Sequence, residues 1–250
     1  MQNPKNKIVN KTAWITGGKR IGQVIAESLA KEGVNIIASY RSSSPEADEI
    51  VRKAKKLGVK AVAIQCDVSQ KESVISAVKT IKEKFKKIDI LINMASVFTP
   101  VKLENITEKD WQNNFETHIL GTFWPSQIIS KNIPKGGHII NIADRTSIGK
   151  SYNGYLPYVV TKGAVANMTK TLATELAPKG IFVNAIAPGP ILRPDDISLK
   201  EWQKIREASP LKFPISDKEA VDQFAKLVLY LSQVTMASGY IYPLDQGQNL

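Results

Sequence analysis

Residues 13–33, AWITGGKRIGQVIAESLAKEG, decide the reading of the fold. A short apolar run ends at Thr16 and meets two glycines, Gly17 and Gly18. It passes at once into a stretch whose apolar residues recur at helical spacing and stop at Gly33. Strand, glycine turn and helix in this order set helix-start N–H groups at a strand end, where the helix dipole favours a phosphate. The turn carries a basic pair, Lys19 and Arg20, where a nucleotide loop ordinarily has another glycine. Taken alone, the stretch also fits a tight strand-to-helix turn that binds nothing.

Outward from this unit, short apolar runs alternate with helical stretches along the whole chain. TAWIT, NIIASY, AVAIQCDV, DILINMA, HIINIA, FVNAIAP and GYIYPLD read as strands, most of them nearly continuous in apolar residues. Strands covered by helices on both faces have this character. Between them, IGQVIAESLAKEG, PEADEIVRKAKKLG, KESVISAVKTIKEKF, EKDWQNNFETHILGTFWPSQIIS and YVVTKGAVANMTKTLATELAPKG read as helices. The alternation predicts an α/β fold, a doubly wound, seven-stranded, mostly parallel sheet with helices on both faces. No linker, repeat or low-complexity block interrupts it, so residues 1–250 read as one domain. Residues 191–214 break the rhythm with prolines, two aspartates and one helical piece, LKEWQKIREA, and so read as a substrate-binding loop beyond the strand ends.

Composition narrows the class. The chain has 43% apolar and 23% charged residues, the balance of an ordinary globular protein. No run approaches the roughly 18 uninterrupted apolar residues of a membrane span, and the opening MQNPKNKIVN lacks the core of a secretory signal. A cytoplasmic protein with no membrane partner is expected. The single cysteine, Cys66, cannot form an internal disulfide or a zinc cluster. A net charge of +11 invites a nucleic-acid reading. The lysines of VRKAKKLGVK and VKTIKEKFKKID lie around apolar positions at helical period, however, so they read as solvated helix faces and no nucleic-acid partner is expected.

Two further motifs carry chemistry. The second strand ends in Tyr40, Arg41, Ser42, Ser43 and Ser44. An acid at this place suits the ribose hydroxyls of NAD, whereas a guanidinium with hydroxyls suits the extra phosphate of NADP, so NADP(H) is the expected cofactor. In YVVTK, Tyr158 and Lys162 stand four apart and share a helix face. A phenol titrates near about 10, and a neighbouring ammonium favours its ionised form. Tyr158 is thus a candidate proton donor to a carbonyl oxygen that receives hydride.

The order TGGKRIG, CDV, NMAS, IINIAD, YVVTK, IAPGP and GYIYPLDQG resembles the short-chain dehydrogenase/reductase family over essentially the whole chain. The resemblance implies a Rossmann-type sheet, an NAD(P)-dependent oxidoreductase, and a homotetramer or homodimer. It makes Tyr158 the catalytic acid/base and Lys162 its pKa-lowering partner, also bound to the nicotinamide ribose. Gly17, Lys19, Arg20, Ile21 and Gly22 match the cofactor turn, with Arg41, Ser42 and Ser43 toward the NADP phosphate. Asp67 and Val68 match the positions that meet adenine; Asn93, Ala95 and Ser96 stand where the family shields the cofactor; Pro188 and Gly189 match the turn beside the nicotinamide.

Departures from the family pattern point to a subgroup. The usual catalytic serine is replaced by Asp144, which precedes Tyr158 by 14 positions, one more than is typical, leaving Ser147 and Ser151 as substitutes to weigh. His118 in FETHIL stands where the family has an asparagine that bends a helix; it reads as a catalytic residue or as helix packing. His138 reads as structural, and Met94 replaces the second asparagine of the family segment. Arg20, Ser96, Phe98 and Asp144 together resemble the pteridine reductases and dihydromonapterin reductases, which implies substrate contacts at these four and a role for Asp144 in proton delivery through Tyr158. Thr16 to Gly22 spans six positions against the family's seven, so Gly18 is expected to take a tight turn. The expected function is NADPH-dependent reduction of a carbonyl or C=N group in a small molecule, pterin-like first. A 3-oxoacyl thioester is the alternative substrate, and a non-catalytic NADP-binding sensor or scaffold the alternative class.

Overall fold

The glycine-bounded apolar run forms the first strand, β1 (Thr12–Thr16), buried along its whole length. Its side chains alternate, Ala13 and Ile15 toward one layer and Trp14 toward the other. Such a strand needs helices over both faces, and the rest of the chain supplies them. A computed structural model describes residues 8–17, 19–42, 44–194 and 197–250. After β1 come α1 (Arg20–Lys31), β2 (Asn35–Tyr40), α2 (Pro45–Lys56), β3 (Ala61–Gln65), α3 (Lys71–Lys84) and β4 (Ile90–Asn93). Then follow α4 (Glu108–Asn114), a π-helical segment (Phe115–Leu120), α5 (Gly121–Ile129), β5 (His138–Ile142), α6 (Leu156–Leu176), β6 (Phe182–Pro188), α7 (Leu199–Glu207), α8 (Asp217–Leu231) and β7 (Ile241–Leu244).

The strands form one sheet in the order β3-β2-β1-β4-β5-β6-β7. All its pairings are parallel, so the sheet is parallel throughout and not merely for the most part. Strand order reverses between β1 and β4, and ligands of such sheets bind beyond the carboxyl ends at that point. One face is covered by α1, α2 and α8 through Ile25, Leu29, Ile50, Phe224 and Val228. The other is covered by α3, α5 and α6 through Val74, Ile81, Ile129 and Leu176. Each fully buried side chain of this kind contributes about 1.5–3 kcal/mol.

Two elements differ from the sequence expectation. EKDWQNNFETHILGTFWPSQIIS is α4, the π segment and α5 in succession, not one uniform helix. Past the irregular 191–214 segment, α8 adds a helix that the pattern of runs did not separate out, begun by Ser216, whose side chain accepts from the Glu219 N–H. Among the described residues, no helix is long and apolar enough to cross a membrane.

Candidate active site

A cleft of about 970 Å³ opens beyond the carboxyl ends of the strands, walled by the loops that follow β1 to β6. On its β1 side, Gly17 adopts φ +68°, and a Cβ there would lie 2.9 Å from the Ala95 Cα. The backbone of the turn is therefore pressed onto the loop after β4 and only glycine fits. The strained glycine is Gly17; Gly18, for which the tight turn was expected, lies outside the described residues. α1 begins with no side-chain cap and no acid in its first turn, while Lys19, Arg20 and Ile21 line the cleft. Uncapped N–H groups under two cations suit an anionic phosphate. Gly22 is buried and not on the cleft wall; a Cβ there would lie 3.4 Å from the Gly17 carbonyl oxygen and within 4 Å of the Met94 and Ile15 side chains. A tight glycine turn beside an uncapped, cation-flanked helix start on the cleft wall fits a dinucleotide.

At the end of β2, Arg41 and Ser42 line the cleft; Ser43 lies outside the described residues. The sequence reading found no acid here, yet Glu46 at the start of α2 also reaches the wall. Lys19 Nζ holds its carboxylate at 3.2 Å, which offsets that charge. Asp67 and Val68 line the next stretch, and Asp67 Oδ1 accepts from both the backbone N–H and the hydroxyl of Ser69. Ala95, Ser96, Pro188 and Gly189 also line the cleft. Gly189 packs so tightly on the β7 end that a Cβ would lie 2.8 Å from the Asp245 Cα. Asn93 corrects an expectation. It is buried behind the wall, where Nδ2 donates to Asn141 Oδ1 at 2.9 Å and to Ser126 Oγ at 3.0 Å. Asn141 in turn donates to Thr169 Oγ1 at 2.9 Å. This polar chain ties β4, β5, α5 and α6 together, so Asn93 supports the site from below.

The loop after β5 and the start of α6 bring the reactive groups together. Tyr158 donates to Asp144 Oδ2 at 3.0 Å, and Tyr152 donates to the same oxygen at 3.3 Å. Asp144 Oδ1 is taken by the backbone N–H and hydroxyl of Thr146, which fixes the carboxylate's orientation. Of the three acids and hydroxyls weighed for this place, Asp144 is the one that meets Tyr158; Ser147 and Ser151 do not line the cleft. Lys162 Nζ donates to the Ile142 carbonyl at 2.7 Å and stands 5.8 Å from the Tyr158 ring centroid. Contrary to what the pairing alone suggests, the Lys162 ammonium does not leave the Tyr158 phenol below its ordinary value. Burial, then the Asp144 carboxylate, push the phenol well above its ordinary value, so it stays protonated. Burial also pulls the Lys162 ammonium down to about 8, against the opposing pull of Asp144.

Phe98 is stacked on Tyr155 with ring centroids 4.2 Å apart and meets Tyr158 edge-on at 4.8 Å. Tyr152 and Tyr155, both on the wall, were not singled out in the sequence, because SYNGYLPY reads as a polar loop before a helix. Behind this wall lies His118, 1% exposed, in the π segment. Its Nε2 accepts from the Val97 N–H at 3.2 Å and lies 2.9 Å from Ser96 Oγ, while Nδ1 lies 2.8 Å from Thr161 Oγ1. Burial and the nearby Lys162 drive its pKa down to about 2. His138, the other histidine, starts β5 and packs on Phe182 with centroids 5.2 Å apart, a structural setting.

The 191–214 segment roofs the cleft through Ile191, Leu192, Pro194, Ile197, Trp202 and Ile205; Asp195 and Asp196 lie outside the described residues. Asp217, at the first turn of α8, anchors this roof. Its Oδ1 accepts from Trp202 Nε1 at 2.9 Å and from Arg206 Nη2 at 2.8 Å. Arg206 Nη2 also donates to the Ile191 carbonyl at 3.0 Å.

Comparison with known proteins matches this geometry to a family. The short chain dehydrogenase profile matches residues 11–204. A 3-oxoacyl-(acyl-carrier-protein) reductase FabG of Staphylococcus epidermidis is 35% identical over 210 residues, 82% of this chain and 85% of the relative. Glucose 1-dehydrogenase 2 of Bacillus subtilis is 31% identical over 252 residues, 97% of this chain and 96% of that one. Among solved structures, a short chain dehydrogenase of Burkholderia cenocepacia in complex with NADP superposes with a TM-score of 0.89 at 28% identity, covering 98% of this chain and all of that one. The parallel sheet, the glycine turn at its switch point and the Tyr158–Lys162 pair in the cleft thus belong to a chain of the short-chain dehydrogenase family of oxidoreductases, which use a nicotinamide cofactor.

Proposed function

We propose that the chain is an NADP(H)-dependent reductase of a carbonyl or C=N group in a small molecule, with a planar, pterin-like ring as the first candidate substrate. The observation that carries this reading is the Tyr158 phenol, held protonated on the wall of a cleft that also presents Arg41 and the Phe98 ring. Lys19, Arg20 and the start of α1 hold the pyrophosphate, and Arg41 with Ser42 holds the additional phosphate of NADP. Lys162, anchored on the Ile142 carbonyl, reaches the ribose. Bound nicotinamide supplies the hydride. Tyr158 gives its proton to the oxygen or nitrogen of the group being reduced, and Asp144 keeps that proton on the phenol until an acceptor competes for it. The Lys162 ammonium offsets the negative charge left on Tyr158. The exposed face of Phe98 offers a flat surface to a planar ring.

A 3-oxoacyl thioester substrate is the second reading, supported by the 35% identity to the Staphylococcus epidermidis reductase and by the basic surface. NADPH oxidation across a panel of pterins, 3-oxoacyl thioesters, semialdehydes and quinones separates the two. Tight NADPH binding with no turnover of any compound would sink the reductase reading in favour of a cofactor-binding sensor. Arg41→Asp checks the cofactor: it is expected to weaken NADPH far more than NADH, and equal losses would contradict the assignment of that loop.

A further inference from the structure

His118 does not line the cleft, and the Tyr158 hydroxyl is bonded to Asp144, not to the imidazole. Its protonation state follows from its partners. The Val97 N–H can only donate, so Nε2 carries the lone pair and the ring proton sits on Nδ1. The Ser96 hydroxyl then donates to Nε2, and Nδ1–H donates to Thr161 Oγ1. The Thr161 hydroxyl itself donates to the Pro157 carbonyl at 2.8 Å or the Tyr158 carbonyl at 3.0 Å. One ring thus spans from the backbone of the 96–98 loop to the first turns of α6. Phe98 follows Val97 directly, and Tyr158 and Lys162 flank Thr161 on α6.

We propose that His118 is a positioning residue, a neutral Nδ1–H imidazole clamp that fixes the Ser96–Phe98 loop to α6 and thereby sets where the Phe98 ring lies against Tyr158 on the wall that a substrate meets. The two ring nitrogens make opposite bonds, one accepting and one donating. A glutamine can reproduce both with its amide oxygen and nitrogen, whereas a leucine of similar bulk makes neither. The clamp itself needs only the geometry described; its effect on substrate selection rests on the proposed reductase reading.

The experiment compares His118→Leu and His118→Gln with the native chain by amide hydrogen exchange, NADPH titration and steady-state kinetics on whichever panel compound is turned over. In His118→Leu the Val97 amide is expected to exchange about tenfold faster or more, with His118→Gln within about twofold of native. NADPH affinity holds in both, and in His118→Leu the substrate KM rises about tenfold while kcat changes by less than about threefold. ¹⁵N spectra of the native histidines should show a fixed Nδ1–H tautomer at His118 that does not titrate between about pH 5 and 8. A titrating imidazole, unchanged Val97 exchange in the leucine variant, equal loosening by glutamine, or a parallel loss of NADPH binding each overturns the clamp. If His118→Leu does not fold, Thr161→Val removes the far anchor, and Val97 exchange must still rise several-fold. If no compound is turned over, the reductase reading falls while exchange and tautomer still decide the clamp.

Discussion

Tyr158 and Lys162 were legible from their four-residue spacing together with the family motifs around them, but the charge each carries was not. Spacing places an ammonium near a phenol; the burial of both and the carboxylate of Asp144 decide which way each group shifts. Lys162 titrates near 8 in the fold, so activity that needs its ammonium is expected to fall as pH rises through about 8, readable as the alkaline limb of a kcat profile. Asp144→Asn removes the charge that supports this ammonium, so the limb should move to lower pH; a shift the other way would contradict the role given to Asp144. The same substitution should lower the Tyr158 pKa, visible in a tyrosinate absorbance titration. At Gly17, the close approach to Ala95 makes alanine costly. Gly17→Ala should lose about 1–2 kcal/mol from the left-handed backbone alone, and NADPH affinity with it, measured by denaturant melts and fluorescence titration. Tyr152 and Tyr155 stayed hidden because their loop carries no periodic signal, and only the fold brings them onto Asp144 and Phe98.

At the scale of elements, the strands were legible because strands buried on both faces leave nearly continuous apolar runs. The break inside FETHIL was not legible from periodicity, since an amphipathic helix and a helix with a π turn share nearly the same apolar spacing; only the resemblance pointed to a bend at His118. Tertiary bonds made by His118 accompany the widened turn. α8 was missed because it follows the irregular roof segment, although Ser216 and the apolar stripe Val221, Phe224 and Val228 mark it once the boundary is known. Asp217 joins these two elements. Asp217→Ala leaves the Arg206 guanidinium and the Trp202 N–H without that acceptor, and a loss of about 1–2 kcal/mol is expected, reduced by the carboxylate's partial exposure. Hydrogen exchange should quicken across 197–207 before it does in α6, and uniform quickening would argue against a local anchor.

For the whole molecule, a Rossmann-type sheet was implied by the resemblance and its parallel strands by the alternating helices, while the strand order came from the structure. The +11 charge did not disclose a partner, because charge spread over helix faces specifies no shape. Stability should respond to pH at both ends. His118 and His138, held neutral with pKa values near 2 and 4 in the fold, recover 6.5 when unfolded. Below about pH 6.5 the unfolded chain binds protons that the folded chain refuses, so stability falls on acidification by about 1.4 kcal/mol per pH unit for each histidine. Lys162 acts at the alkaline side: between 8 and 10.5 the unfolded chain keeps a proton the folded chain has released, so this group adds stability as pH rises there, even while activity declines. The central claim, that the buried Tyr158 phenol is the proton donor of an NADPH-dependent reduction, is tested most directly by kcat for Tyr158→Phe on a compound the native enzyme turns over. The account predicts a fall of about 10²- to 10⁴-fold with NADPH affinity retained; a variant that turns over at the native rate would contradict it.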